Sequence, residues 1–461
     1  MRDRTWLEEA VLLGSIVKWA VLATLAGAAA GIGSGLFLKG VAYGTESTAA
    51  LALPYRLVLL PAAGWLTAWL IHRFAPEAAG HGTEAVITAV HRRQGAIDPK
   101  VVPVKALATI VSLTGGGSAG KEGPCAQVGS GLAALIARVL RLGPDDRRRL
   151  VICGISAGFT AVFGTPVGGA IFGVEVLFGG AIAYEVLFPS MVAGFTAYQT
   201  VQWFRVEALQ VPALAVPNLT EPLFVKAIVL GALFGLIARL FIEAMERIHR
   251  LFERLPVSPP LRAAAGGAVL AVLALVAGSE YLGLGTDMLD RALAGGAVAA
   301  LAFAWKILFT SVTLGSGFSG GVLMPVFFVG ASAGSVLAPL FGIDSVVGAA
   351  VGMMAVLAGA TNTPIASAVI GLELFGPGIG LYLAAACIAS FAVAGHRSIY
   401  PSQVLKVRKS PALAIPLGRP AAEVGPVRLA PGTLRPVARL LRRVRYQPRQ
   451  RPGEGRPAHR A

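Results

Sequence analysis

KALATIVSLTGGGSAGKEGPCAQVG, residues 105–129, returns 201 positions later as KILFTSVTLGSGFSGGVLMPVFFVG, residues 306–330, without a gap. Eleven of the 25 positions are identical, among them Lys105/Lys306, Thr109/Thr310, Gly116/Gly317, Ser118/Ser319, Gly120/Gly321 and Pro124/Pro325. Chance in so apolar a chain gives roughly two or three. Two flanking blocks agree in the same order. Gly27, Gly31, Leu36 and Phe37 match Gly231, Gly235, Leu240 and Phe241 at an offset of 204, and Thr165, Pro166, Ala170, Gly173 and Glu175 match Thr363, Pro364, Ala368, Gly371 and Glu373 at 198. A slowly drifting offset over three blocks means a duplicated fold. The halves span 21–205 and 222–406, and the polar stretch 206–221 links them.

Both halves belong in a bilayer. Of 461 residues 55% are hydrophobic and 14% charged, where a soluble domain carries roughly 25% charged residues. Apolar stretches such as Val21–Phe37, Phe224–Ile242 and Val346–Ala360 approach the about 20 residues of a membrane span. The reading is an all-α, multi-pass integral membrane protein. Glu8 and Glu9 interrupt what would otherwise resemble a signal peptide, so residues 1–20 are read as a cytosolic leader. From 401 onward fourteen Arg and Lys stand against two Glu, within a net charge of +16 for the whole chain. Such clusters favour the cytoplasm. The Pro/Arg-rich tail at 407–461 is therefore read as cytoplasmic and disordered, which puts both termini on the cytoplasmic side of the cell (inner) membrane. The tail lacks interleaved aromatics apart from Tyr446, so its partners are lipid headgroups and not nucleic acid. Cys125, Cys153 and Cys387 lie in apolar segments without metal-ligand spacing and read as packing residues; no metal or cofactor is implied.

The repeated block is where helices must break. TGGGSAG (114–120) and GSGFSGG (315–321) each run into a proline and then an apolar helical stretch. Proline fits the first turn of a helix, and irregular backbone inside a membrane survives only in protein or beside a wet cavity. Each half thus carries a half-helix that starts at membrane depth. Unpaired N–H groups and the dipole make such a start an anion site, worth up to about 2 kcal/mol when partly buried. Burying a small ion costs on the order of 20 kcal/mol in the idealised limit. One helix end is too little, so several must converge. Duplicated membrane folds place such sites between their halves.

Glu122 adds a carboxylate at one of these ends. An ionisable group at that depth is a functional candidate. It can occupy the anion site itself and leave on protonation, acting as gate, proton carrier or both. Gly115–Lys121 also fits GxxxxGK, but Glu122 stands where a phosphate-binding loop needs Ser or Thr and would repel phosphates. With no convergent nucleophile, metal site or acid/base pair in view, the chain is not read as an enzyme.

These residues resemble the CLC family of chloride channels and proton/chloride exchangers, over about residues 20 to 406. Gly120-Lys121-Glu122-Gly123-Pro124 matches its motif G(K/R)EGP, and Gly321-Val322-Leu323-Met324-Pro325 resembles GxFxP with Leu323 for the aromatic. Gly80-His81-Gly82-Thr83 looks like a variant of GSGIP, and Tyr400 like the family's central-site tyrosine. The resemblance implies two inverted repeat halves of tilted and broken helices. It also implies a homodimer with one pathway per subunit, chloride as substrate and protons as a second cargo in the exchangers. By carry-over, Glu122 is the gating glutamate. Anion contacts come from His81 and Gly82, from Gly120, Lys121 and Gly123, from the Val322 and Leu323 amides, and from the Tyr400 hydroxyl. The Thr165–Phe188 and Thr363–Ile388 regions supply the dimer interface.

Departures from the pattern bear on substrate and coupling. His81 replaces the serine ligand and Glu84 the proline, so chloride, fluoride and nitrate all stay open as substrates. His81 either adds charge when protonated or turns aside. At the family's inner proton position stands Val176, with Glu175 beside it. A valine carries no proton, which favours channel-like conduction over proton/chloride exchange, although Glu175 or water could substitute. The repeat mate Glu373 marks Glu175 as partly structural.

Overall fold

The computed structural model describes residues 2–206, 221–424 and 428–430. The expected linker falls almost wholly at 207–220, outside them, as does the tail beyond 430. The described residues form sixteen α-helices, eight on each side of the linker. The first eight are α1 (Arg2–Ala49), α2 (Leu53–Phe74), α3 (Thr83–Arg92), α4 (Val101–Thr114), α5 (Glu122–Val139), α6 (Pro144–Phe163), α7 (Pro166–Glu175) and α8 (Leu187–Gln202). The second eight are α9 (Glu221–Glu253), α10 (Pro259–Ala277), α11 (Thr286–Leu293), α12 (Ala302–Ser316), α13 (Leu323–Leu337), α14 (Ser345–Thr361), α15 (Pro364–Phe375) and α16 (Gly380–Ala394). Each helix of the first half has its counterpart eight places on. Six of the described helices are long and apolar enough to cross a membrane; the others are shorter or carry more charge. α1 runs unbroken from Arg2, so no break sets off a leader at residue 20. Its 48 residues extend about 72 Å, far more than the about 30 Å hydrocarbon core, and therefore tilt or protrude.

The halves are inverted. α1 begins on the face that carries the C-terminal segment, where Lys18 pairs with Asp146 at 2.5 Å. α9 ends on that face, where Glu243 pairs with Arg397 at 2.9 Å. Between the halves, repeat mates bind each other. Gly120 N–H donates to Gly321 O at 2.7 Å and Gly321 N–H to Gly120 O at 2.6 Å, an antiparallel bridge. Two residues can exchange both bonds in this way only across a twofold axis. The same axis relates the hydroxyl pair Thr109–Ser319 at 2.8 Å to the pair Ser118–Thr310 at 3.2 Å.

Two more reciprocal sets hold the frame. Lys105 and Lys306 are fully buried, and each satisfies backbone carbonyls of the loop ahead of a short helix. Lys105 Nζ donates to Ala78 O at 3.1 Å and Gly80 O at 2.6 Å, ahead of α3. Lys306 Nζ donates to Tyr281 O at 3.1 Å and Gly283 O at 2.9 Å, ahead of α11. α7 and α15 clamp each other's starts. Glu175 receives Ile365 N–H at 3.3 Å and Ala366 N–H at 2.7 Å, and Glu373 receives Val167 N–H at 3.0 Å and Gly168 N–H at 2.6 Å. A carboxylate suits the unpaired amides of a helix N-terminus. Both helices follow left-handed caps, Gly164 at φ 71° and Asn362 at φ 58°, each leading into Thr-Pro.

The disorder expected from 407 onward does not begin there. Strand β1 (Phe178–Gly179) pairs in parallel with β2 (Val404–Leu405), and β3 (Leu413–Ala414) pairs antiparallel with β4 (Arg428–Leu429). Lys409 Nζ reaches the end of α14, donating to Asn362 Oδ1 at 2.6 Å and Phe391 O at 2.5 Å. Backbone pairing of this kind leaves no apolar periodicity, so composition alone reads the segment as unfolded.

Candidate anion site

At the bridge between the halves, α5 and α13 start side by side. Pro124 and Pro325 are third in their helices, where a missing N–H forfeits no hydrogen bond. The fully buried Glu122 opens α5. Its Oε2 receives Met324 N–H, from the first turn of α13 in the other half, at 3.2 Å. The amides of Lys121 and of Glu122 itself also reach the carboxylate. Val322 immediately precedes α13 and Leu323 opens it, so their amides belong to the same unpaired turn. A carboxyl oxygen thus sits on the amide-rich starts of two half-helices. Glu122 Oε1 is sealed from solvent and has no hydrogen-bond partner among the described residues.

Close backbone approach makes this possible. A Cβ on Gly120 would run into Glu122 Oε2, and one on Gly123 into the His81 carbonyl oxygen. A Cβ on Gly321 would lie 2.8 Å from Gly123 N. Gly82, at φ 85°, starts α3 against the Gly123 carbonyl. The segments 80–83, 120–124 and 321–325 therefore meet as expected.

Tyr400 closes the site from the C-terminal segment. It is fully buried, and Glu122 and Glu84 lie near its hydroxyl. The Thr83 hydroxyl lies beside the Tyr400 hydroxyl, and neither has a partner of good geometry. Sequence reading looked to position 81 for a hydroxyl and missed Thr83. The available signal was the repeat itself, since Gly80-His81-Gly82-Thr83 recurs as Gly283-Leu284-Gly285-Thr286. Both glycine pairs have positive φ, 77° and 85° against 58° and 77°. The Met324 amide was also missed. The His81 ring lies near Lys105 and His249, and its Nδ1 has no partner among the described residues.

One cavity reaches the site, and a second lies on the tail face beyond Tyr400. A cavity of about 860 Å³ reaches Glu122 from the face opposite the tail, lined by Lys39, Lys121 and Arg205 with Glu46 and Asp290. On the tail face a cavity of about 430 Å³ reaches Ser402, two residues after Tyr400 in the chain. Val176 is fully buried, and its carbonyl accepts Gln403 Nε2 at 3.0 Å. With both Glu175 oxygens taken by α15, α7 offers no uncommitted carboxylate. Among the described residues no cluster of His, Cys, Asp or Glu could hold a metal ion.

An inverted duplication with two half-helices aimed at one buried point, reached by a cavity from one face, defines a membrane anion transporter. Residues 63–395 match the family described as voltage gated chloride channel, and the chain belongs to that family, the CLC proteins. It is 38% identical over 403 residues to the chloride/fluoride channel protein of Pseudomonas syringae pv. tomato, covering 86% of this chain and 88% of that one. It is 26% identical over 384 residues to the H(+)/Cl(-) exchange transporter ClcA of Yersinia pestis, covering 77% and 79%. Among solved structures it is similar to a CLC-type fluoride/proton antiporter, with a TM-score of 0.80 and 29% identity over 85% of this chain and 98% of that one.

Proposed function

We propose that this chain moves small halide ions, fluoride foremost and chloride with it, through a pathway that Glu122 closes when ionised and opens when protonated. The observation that carries the reading is the Glu122 carboxylate resting on amides from both halves. A carboxylate oxygen and a halide want the same donors, so each displaces the other. Protonation removes the charge that holds the side chain there and frees the amides for an anion. Glu122 is the gating group. Gly120, Lys121, Gly123, Val322 and Leu323 form the anion cradle, and the Tyr400 and Thr83 hydroxyls complete it beside His81 and Gly82. Fluoride is the strongest hydrogen-bond acceptor among the halides, and two unpartnered hydroxyls beside a ring of amides suit it. The names of the Pseudomonas relative and of the solved antiporter point the same way.

Val176 and the engaged Glu175 favour passive conduction unless another carboxylate serves the tail-face end. That face is assigned to the cytoplasm of the cell membrane, because Arg92, Arg93 and Arg147 to Arg149 gather there. Two copies pair through α7, α8, α15 and α16, which leave Val167, Phe188, Ile365, Leu381 and Ile388 exposed.

Purified protein in liposomes loaded with potassium fluoride or chloride, read with ion-selective electrodes, tests the reading. Fluoride efflux is expected to exceed chloride efflux about tenfold or more, a barrier difference of about 1.4 kcal/mol. Faster chloride would reject the fluoride assignment, and no halide efflux would reject the transport reading altogether.

A further inference from the structure

Glu84 is a buried carboxylate that the anion cradle does not use. It is the second residue of α3, on the tail side of Tyr400. One oxygen is committed, since Oε1 receives Ser402 N–H at 3.0 Å. The other, Oε2, is sealed from solvent and has no hydrogen-bond partner among the described residues. A carboxylate kept only to brace Ser402 would not need a second oxygen buried bare, which is costly when ionised.

Its surroundings connect it in both directions. Toward the site, the Tyr400 hydroxyl lies near both Glu84 and Glu122, and the Thr83 hydroxyl lies beside it. Toward the tail face, Thr88 and His91 follow Glu84 at helical spacing on one side of α3. Both line the about 430 Å³ cavity that also reaches Ser402. The titratable and charged groups around this end are Arg92 and the neutral His91 from α3 itself, Arg148 from α6 and Lys406 after β2. Arg92 is partly neutralised by Glu423 at 2.8 Å.

We propose that Glu84 is the proton-handling group of the tail-face end of the pathway. It takes a proton from the tail-face cavity on Oε2 and passes it by way of the Thr83 and Tyr400 hydroxyls to the Glu122 carboxylate. Each transfer leaves Glu84 ionised and Glu122 neutral, and the next proton enters from the cavity. The pathway then exchanges protons against anions although position 176 is a valine. The inference rests on Glu122 being the protonatable gate.

The test is simultaneous recording of fluoride and proton movement in liposomes, for wild type and for Glu84→Gln, Glu84→Ala and Glu84→Asp. Wild type is expected to drive protons uphill when a fluoride gradient is imposed. In Glu84→Gln and Glu84→Ala the number of protons moved per anion should fall about tenfold or more, and Glu84→Asp should restore most of it. An unchanged ratio in Glu84→Gln would overturn the assignment, as would a wild type that passes fluoride with no proton movement. Loss of anion flux in both Glu84→Gln and Glu84→Ala would make the residue a brace on Ser402 and overturn it equally. These failures leave the gated halide pathway standing. Only absence of halide flux in wild type removes both.

Discussion

At the scale of single residues, the account turns on how little room surrounds Glu122. Gly120 and Gly123 are glycine because any Cβ there would collide with the carboxylate or with the His81 carbonyl. Overpacking of this kind costs typically 1–3 kcal/mol. Gly120→Ala should push the carboxylate off its amides. We expect halide efflux in that variant at alkaline pH, where wild type is closed, and an assay showing wild-type closure would contradict it. Glu122 and the two glycine-bounded starts stand out in the sequence because motif and repeat coincide there, whereas Tyr400 is marked by the family resemblance alone. Thr83 does not stand out, because the motif's serine position is 81, two residues earlier, and only the fold brings the Thr83 hydroxyl beside Tyr400. Glu84 was visible only as a missing proline, since burial and an unpartnered oxygen are facts of three dimensions.

At the scale of elements, the repeat was legible because so many of its identical residues touch one another across the axis. Gly120 meets Gly321, Thr109 meets Ser319 and Ser118 meets Thr310, so a change on one side must be answered on the other. The two lysines and the two clamp glutamates belong to the same logic. Hydrogen bonds to a charged group contribute about 1.5–3 kcal/mol each. Glu373→Gln and Glu175→Gln should therefore lower thermal stability in detergent by similar amounts. Neither should alter the pH dependence of efflux. A Glu175→Gln variant that flattened the pH response would instead place Glu175 in proton transfer. Helix direction was harder to read, because apolar composition does not say which end of a span faces which side. The ion pairs Lys18–Asp146 and Glu243–Arg397 supply that answer.

At the scale of the whole molecule, the tail-side segment closes the fold. Gln403 ties α7 to α14 through Val176 O at 3.0 Å and Thr361 O at 2.8 Å, and Tyr400 enters the site from the same stretch. Truncation after residue 430 should leave both stability and efflux near wild type. Truncation after residue 403 removes β2 and the Lys409 contacts, and should lower the melting temperature by several degrees. Equal melting temperatures for the two truncations would show that 404–430 contributes nothing to the frame. Composition could not reveal this docking, because main-chain pairs hold it and the residues around it are basic and proline-rich.

The central claim is that one carboxylate and the transported anion compete for the same amides. Halide efflux from liposomes, measured from alkaline to acidic pH for wild type and Glu122→Gln, tests it most directly. Wild-type efflux should rise as pH falls, while the glutamine variant, always neutral at that position, should stay fast and flat throughout. A variant that kept the wild-type pH profile would contradict the account.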